Sequence, residues 1–151
     1  MPGVRRMTAD LTQYPELVVI YLGMRVQSLR GLATVARLGP QIEKSVAAKP
    51  DGLLLHEPFF FSLLPPHLCM RQYWRDFESL EKWARSLPHK KWWGDFVRAP
   101  QGVGFWHETY FRKGGFEAVY DELDSPIGLL AFASNVKAEG AMFSARQRAG
   151  K

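Results

Sequence analysis

The sequence predicts an α+β protein with a ferredoxin-like βαββαβ core, in which helices cover one face of an antiparallel sheet. Strand-like and helix-like segments follow one another in that order along the chain. The chain has 151 residues, of which 46% are hydrophobic, so it is long enough for one domain with a substantial core. Several predicted strands carry large apolar residues on both faces, which indicates that neither face of the sheet is left to solvent.

The first half of the chain contains two predicted strands joined by a helical segment. Residues 17–26 are rich in β-branched and large apolar residues and predict the first strand. Apolar residues then recur at helical spacing over residues 32–46, where Gly39-Pro40 predicts either one bent helix or two short ones. Residues 53–61 predict the second strand, which Pro58 should disturb.

The second half repeats the pattern. Residues 67–75 alternate as a strand with both faces occupied, and residues 77–87 form an apolar helical stripe that should face the sheet. Helical spacing continues over residues 89–96, and a clear break precedes the alternating residues 105–112. A further short strand is expected at residues 116–123.

The predicted domain boundaries separate an N-terminal extension, residues 1–13, from the ferredoxin-like domain, residues 14–135, and a basic C-terminal tail, residues 136–151. Most of the net charge of +5 lies in the extension and the tail. A basic recognition face on the folded core is therefore not indicated, and nucleic acid is not an expected partner.

A membrane or exported location is not expected. The longest strongly apolar run, Leu17 to Met24, is much shorter than the roughly 20 residues of a membrane-spanning helix. Arg5 and Arg6 are not followed by the apolar segment of a secretory signal. Cys69 is the single cysteine, so an internal disulfide is excluded, and a reducing compartment such as the cytoplasm is expected.

The two-faced strands predict a homodimer. Helices cover one face of such a sheet, and a second copy of the chain is the economical cover for the other. The strand that carries His107 is expected to be central to the subunit core and to the pair.

The stretch GFWHETYFRKGG places a histidine beside a glutamate on one predicted strand. Alternation gives it two faces: Phe105, His107, Thr109 and Phe111 on one, and Trp106, Glu108, Tyr110 and Arg112 on the other. His107 and Glu108 therefore cannot act together as a local pair. In the favoured orientation His107 faces a pocket on the helix side with Trp83, while Glu108 faces the dimer partner and pairs with an arginine such as Arg25. The reverse orientation would make Glu108 the pocket acid.

Common catalytic motifs are not found in the sequence. It contains no P-loop, dinucleotide fingerprint, HExxH zinc motif or GxSxG nucleophile elbow, and its four histidines lie on separate elements, so no metal site is predicted. His107 is either a core histidine or a pocket acid or base. His89 is either a capping residue or a pocket ligand that continues the stripe of Trp83. The five tryptophans are either core anchors or the wall of a site for a flat apolar ligand.

A family resemblance is carried by three stretches, QYWRDFESLEKWARS, HKKWWGDF and VGFWHETYFRKGGFEAVY. They resemble a family of small bacterial and fungal monooxygenase-like proteins named after a member of the fumagillin pathway. More loosely, the chain is similar to the antibiotic-biosynthesis monooxygenase superfamily of dimeric α+β barrels, and the resemblance covers roughly residues 17–130.

The resemblance implies a subunit that dimerises through its sheet and holds an apolar pocket between the helices and the sheet. In the wider superfamily some members oxidise aromatic or polyene molecules with dioxygen and no metal or flavin. Others bind or degrade haem through a histidine on the second long helix and a nearby tryptophan. Trp83 and His89 stand in a similar order here, six residues apart with Pro88 between them.

Three functions follow as hypotheses. The first is a monooxygenase that needs no cofactor and oxidises a hydrophobic aromatic or polyketide-like molecule, with His107 or His89 as the base and Arg25 or Arg71 as the anion stabiliser. Its expected lining residues are Trp74, Trp83, Trp106 and Phe105. The second is a haem b protein or haem enzyme with His89 or His107 on iron. The third is a non-catalytic dimeric module that binds a ligand.

Overall fold

The structure is a computed structural model that describes residues 5–113, 116, 118, 120–123 and 126–148. The chain divides into two compact units, Leu17–Phe111 and the two chain ends, Met1–Glu16 with Arg112–Lys151. In the described residues the strands are β1 (Arg6–Asp10), β2 (Val18–Val26), β3 (Leu53–Ser62), β4 (His67–Trp74), β5 (Val103–Phe111), β6 (Tyr120–Asp121) and β7 (Ser134–Lys137). The α-helices are α1 (Leu29–Ala47), α2 (Phe77–Arg85), α3 (His89–Arg98) and α4 (Ala145–Arg148).

The larger unit has the predicted ferredoxin-like order β2-α1-β3-β4-α2-α3-β5. Its four strands are antiparallel and lie in the order β3-β4-β2-β5. This confirms the predicted fold class. The expectation that the strand of His107 would be central within the subunit is wrong, because β5 is an edge strand of this sheet and β2 and β4 occupy its centre.

Two prolines lie inside regular elements, Pro40 in α1 and Pro58 in β3. Pro40 lies inside a continuous α1, so the structure has one helix where the sequence left one or two open. Pro58 lies in β3, which is the other edge strand of the sheet, and edge strands tolerate a residue that lacks an N–H donor. The pairing of β3 with β4 shifts register between Leu53 and Leu55 and again between Phe60 and Ser62.

The start of α2 is fixed by a side-chain cap. Asp76 precedes the helix, and its carboxylate accepts a hydrogen bond from the backbone N–H of Ser79 at 2.7 Å. Leu80, one turn into the helix, is buried against the sheet in one of two core clusters.

The two core clusters lie between the helices and the sheet, at opposite ends of β2. One joins Met24 and Val26 of β2 to Val35 of α1 and Val103 of β5. The other joins Val18 of β2 to the buried side chains of α2 and β4, Leu80 and Trp74. Side chains at even positions of β2 therefore face the helices, and those at odd positions face the other side of the sheet.

The chain ends form the smaller unit, a three-stranded sheet in the order β6-β1-β7. Thr8 of β1 pairs with Val136 of β7, and Arg6 forms an ion pair with Asp121 of β6 at 2.8 Å. Part of the stretch predicted as an N-terminal extension and the start of the stretch predicted as a C-terminal tail thus form paired strands. Of the strand predicted at residues 116–123, Tyr120–Asp121 forms β6, and residues 117 and 119 lie outside the described residues.

Within the described ranges, every helix is too short or too polar to span a bilayer.

Two glycines of α1 provide a matched test of the packing. A Cβ atom at Gly31 would overlap the backbone oxygen of Gly102, whereas one at Gly39 would meet nothing within 4 Å. We expect Gly31→Ala to lower the free energy of unfolding by about 1–3 kcal/mol through overpacking. Gly39→Ala should raise it by about 0.5–1 kcal/mol, because alanine loses less backbone entropy in a helix. Urea denaturation of both variants measures the difference, and midpoints that shift in the same direction would contradict the close approach of α1 to Gly102.

Candidate functional site

The register of β5 against β2 decides which face of the sheet carries His107. Leu22 pairs with His107, and Met24 pairs with Phe105. Met24 is part of the core cluster beneath α1, and Phe105 packs against the same cluster. His107 therefore shares the helix-facing side of the sheet, and Glu108 lies on the opposite side.

His107 is an accessible imidazole at the edge of an aromatic wall. Its ring centroid lies 6.0 Å from that of Phe105, which in turn lies 5.5 Å from Trp93 and 5.8 Å from Phe96 of α3. The side chain is exposed, and it makes no hydrogen bond to any described residue. Phe111, expected to line the same pocket, lies farther along β5 and contacts Phe77 of α2 at 5.3 Å.

His89 is the first residue of α3 and lies between two tryptophans. Its ring centroid is 3.6 Å from Trp83 and 4.8 Å from Trp92. The Nε2 atom is buried and has no hydrogen-bond partner among the described residues. Burial lowers the pKa of His89 to about 4, since the charged imidazolium is poorly solvated there. His89 is consequently neutral near pH 7, the form in which an imidazole accepts a proton or binds a metal.

A third histidine belongs to the helix-facing side although the sequence did not group it with the others. The Nε1–H of the fully buried Trp74 donates to Gln72 Oε1 at 3.1 Å, and Gln72 Nε2 lies 3.1 Å from His56 Nδ1. An indole N–H can only donate, so the amide oxygen of Gln72 faces Trp74 and its NH₂ group faces His56. His56 Nδ1 must then accept, which leaves the proton of the neutral ring on Nε2.

The environment of His56 favours that neutral form. Its side chain is 6% exposed, its Nε2 has no hydrogen-bond partner in the described residues, and Glu43 Oε1 lies 3.9 Å away. Burial lowers the pKa of His56, against the opposing effects of Glu43 and Glu57. The signal that could have found this network is Gln72, a polar residue within the otherwise apolar row of β4.

His89 is joined to the buried Trp74 through Trp83. Trp74 lies 5.0 Å from Trp83, and Trp83 contacts His89. Of the expected lining residues, Trp74, Trp83 and Phe105 are therefore on the helix side.

Four predicted site residues lie on the opposite face of the sheet: Arg25, Arg71, Trp106 and Glu108. Arg71 pairs with Glu57 at 2.6 Å, and Trp106 Nε1 donates to His67 Nε2 at 2.8 Å. Glu108 accepts a hydrogen bond from the hydroxyl of Tyr110. Within one subunit the sheet therefore separates Arg25 and Arg71 from His107, with which the sequence analysis grouped them.

Among the described residues, no three His, Cys, Asp or Glu side chains lie close enough together to hold a metal ion.

Comparison with known proteins gives related sequences and related folds. A stretch of 74 residues, 48% of this chain, is 34% identical to the aliphatic aldoxime dehydratase of Rhodococcus globerulus and covers 21% of that enzyme. A crystal structure of an aldoxime dehydratase in complex with butyraldoxime is similar over 97% of this chain and 43% of that chain, with a TM-score of 0.63 and 21% identity. This chain thus spans less than half the length of either relative.

A shorter structural relative matches over nearly its whole length. It is a Deinococcus radiodurans protein assigned to the antibiotic biosynthesis monooxygenases, with a TM-score of 0.51 and 17% identity, over 73% of this chain and 99% of that chain. At such identities the structural likenesses establish the fold alone.

The family assignment comes from the sequence. The model of the family described as monooxygenase af470-like matches residues 17–129, which include all four histidines and the whole ferredoxin-like sheet. This match confirms the resemblance carried by the stretches QYWRDFESLEKWARS, HKKWWGDF and VGFWHETYFRKGGFEAVY. The chain belongs to the monooxygenase af470-like family.

Proposed function

We propose that the protein is a monooxygenase that oxidises a hydrophobic aromatic or polyketide-like molecule with dioxygen and without a metal or flavin. Membership of the monooxygenase af470-like family supports the reaction class. The observation that carries the proposal is the accessible imidazole of His107 beside the aromatic wall of Phe105, Phe96 and Trp93. A flat apolar molecule can lie against that wall with an acidic C–H group near the imidazole.

The proposed chemistry needs a base and no external reductant. His107 removes a proton from an acidic CH₂ group of the substrate, and the resulting carbanion donates electrons to dioxygen. The carbon and oxygen combine as a hydroperoxide, which loses water to leave a carbonyl group. One oxygen atom of dioxygen remains in the product and the other leaves in water, so the substrate itself supplies all the electrons.

The other helix-side residues have supporting roles in this proposal. Thr109 lies two residues beyond His107 on the same face, where its hydroxyl can donate to the substrate oxygen on which negative charge accumulates. Farther along the helix side, Trp74 packs against Trp83, and Trp83 packs against His89.

We further propose that the opposite face of the sheet is covered by a second copy of the chain. That face carries Tyr110, which is 50% exposed, and Phe61, which is 67% exposed, around the ion pair of Arg71 and Glu57. Large apolar patches of this kind usually mark an interface. Glu108 and Trp106 would then act in assembly.

The buried thiol of Cys69 suits a reducing compartment, and the proposed location is the cytoplasm.

Replacement of His107 tests the proposed reaction. Oxygen uptake is measured with a panel of anthrones and β-diketones, which have acidic CH₂ groups, in buffer that contains EDTA. Removal of a general base costs about 10²–10⁴-fold in rate, so His107→Ala should lower kcat by that factor for any accepted substrate. Glu108→Gln, one residue away on the other face, is the matched control and should retain kcat. A full loss in Glu108→Gln, with kcat preserved in His107→Ala, would overturn the assignment of the base.

A haem protein is the second candidate, and His89 is the observation that favours it. Its neutral ring has a buried Nε2 without a partner among the described residues and flat aromatic neighbours in Trp83 and Trp92, so His89 would be the residue that holds the iron. Haem iron, when bound, would supply a Lewis-acid or oxygen-binding centre. The chain itself would contribute His89 as ligand and the tryptophans as apolar packing. The partial identity to an aldoxime dehydratase makes butyraldoxime a suitable probe for this candidate.

Titration with haemin distinguishes the two candidates. If His89 is the ligand, a Soret band should saturate near one haem per chain in the wild type and in His107→Ala, and disappear in His89→Ala. The pKa of about 4 predicts that the band persists as the pH is lowered and is lost as the pH approaches 4, where His89 takes up a proton. Failure of the wild type to bind haemin, or an undiminished band in His89→Ala, would remove this candidate.

A further inference from the structure

A groove of about 700 Å³ lies between α1 and α3, and its lining residues belong to the ranges 30–41 and 91–101. Its volume is within the range typical of small-molecule sites. One wall comes from α1, the other from α3, and the segment after α3 closes it at Gln101. Trp92 lines the groove and also contacts His89, so the groove adjoins the histidine site without being part of it.

Hydrogen bonds between the two walls fix their separation. Trp92 Nε1 of α3 donates to Gln41 Oε1 of α1 at 3.0 Å, and Thr34 Oγ1 of α1 donates to the backbone oxygen of Gln101 at 2.9 Å. Its apolar lining comes from Leu38 and Phe96, both packed against the core cluster below. A ligand would thus meet a preformed apolar surface, which reduces the ordering cost of binding.

The rim of the groove is cationic. It carries Arg30 and Arg37 on α1, and Lys91, Arg98 and Asp95 on α3, which gives a net charge of +3. Asp95 pairs with Lys91 at 2.6 Å and with Arg98 at 3.0 Å. Hydrogen bonding from Lys91 is the main reason that the pKa of Asp95 is lowered, and Arg37 contributes only as a nearby charge.

The two arginines of α1 therefore have unused donors. In the described parts of the chain, neither Arg30 nor Arg37 forms an ion pair. They are two helical turns apart on one side of α1, roughly 10 Å along its axis. A guanidinium group presents a planar set of donors that matches a carboxylate, so each arginine is suited to an anionic group above an apolar floor.

We propose that this groove binds an amphipathic organic anion, a carboxylate with an aromatic or long aliphatic body. The apolar body lies on Leu38 and Phe96, and the carboxylate is held by Arg30 or Arg37. The groove volume suits one small molecule, and the apolar floor disfavours a purely inorganic anion. Phe96 also contacts Phe105 of the aromatic wall near His107, so the groove adjoins that wall, but binding here does not require the reaction at His107.

Binding of naphthalene-2-carboxylate tests the proposal, with the uncharged naphthalene-2-carboxamide as the matched ligand. Isothermal titration calorimetry is performed on the full chain at 150 mM salt, where interactions between distant exposed charges are largely screened. The carboxylate should bind about five- to tenfold more tightly than the amide, and Arg30→Gln/Arg37→Gln should remove that advantage. The control Lys44→Gln/Lys90→Gln removes the same charge from exposed positions of α1 and α3 outside the groove, and should retain it.

A second measurement locates the ligand. The indole N–H signal of Trp92, identified by its loss in Trp92→Phe, should shift in nuclear magnetic resonance spectra as the carboxylate is added. Equal binding of carboxylate and amide, an equal loss in both double variants, or an indole signal that does not move at saturation would each overturn the proposal. Because none of these readouts requires turnover, failure here is distinguishable from failure of the proposed monooxygenase activity.

Discussion

The antiparallel register that places β2 between β4 and β5 is the constraint on which the candidate site depends. Gly23 of β2 pairs with Cys69 on one side and with Trp106 on the other. A Cβ atom at Gly23 would lie 2.7 Å from Trp106 Nε1 and 2.8 Å from Cys69 Sγ, so glycine is what allows the indole to lie there and donate to His67. Because side chains alternate along a strand, this register sends Trp106 to one face and His107 to the other.

Burial then gives the histidines different properties. His89 and His56 are enclosed, and burial lowers the pKa of each, so both remain neutral where an exposed imidazole would begin to take up protons. His107 lies on an edge strand and is open to solvent. The neutral, enclosed rings are suited to fixed contacts with aromatic side chains, with Gln72 or with a metal-bearing ligand. The accessible ring is suited to proton exchange with a substrate, which is why the proposed reaction is assigned to it.

The alternation of side chains predicted much of this arrangement from sequence. It separated His107 from Glu108 and placed Phe105 with the former, because one strand has two faces whatever its partners are. It could not place Arg25 and Arg71 relative to His107, since that depends on pairing between strands. It also missed His56: the register shift between Leu53 and Leu55 changes which positions of β3 face the helices, and no residue type marks that shift in the sequence. The pairing of Thr8 with Val136 joins short strands from opposite ends of the chain, which local patterns do not reveal.

The central claim is that β5 presents His107 to the helix-side site and Glu108 to a face covered by a second copy of the chain. Cysteine labelling tests it directly, because the natural Cys69 is 2% exposed and should contribute little background. The rate of reaction with a bulky maleimide is measured for His107→Cys and Glu108→Cys over a range of protein concentrations. The account predicts fast labelling at position 107 throughout, and slow labelling at position 108 that becomes faster on dilution. Protection at position 107, or equally fast labelling of both at every concentration, would contradict it.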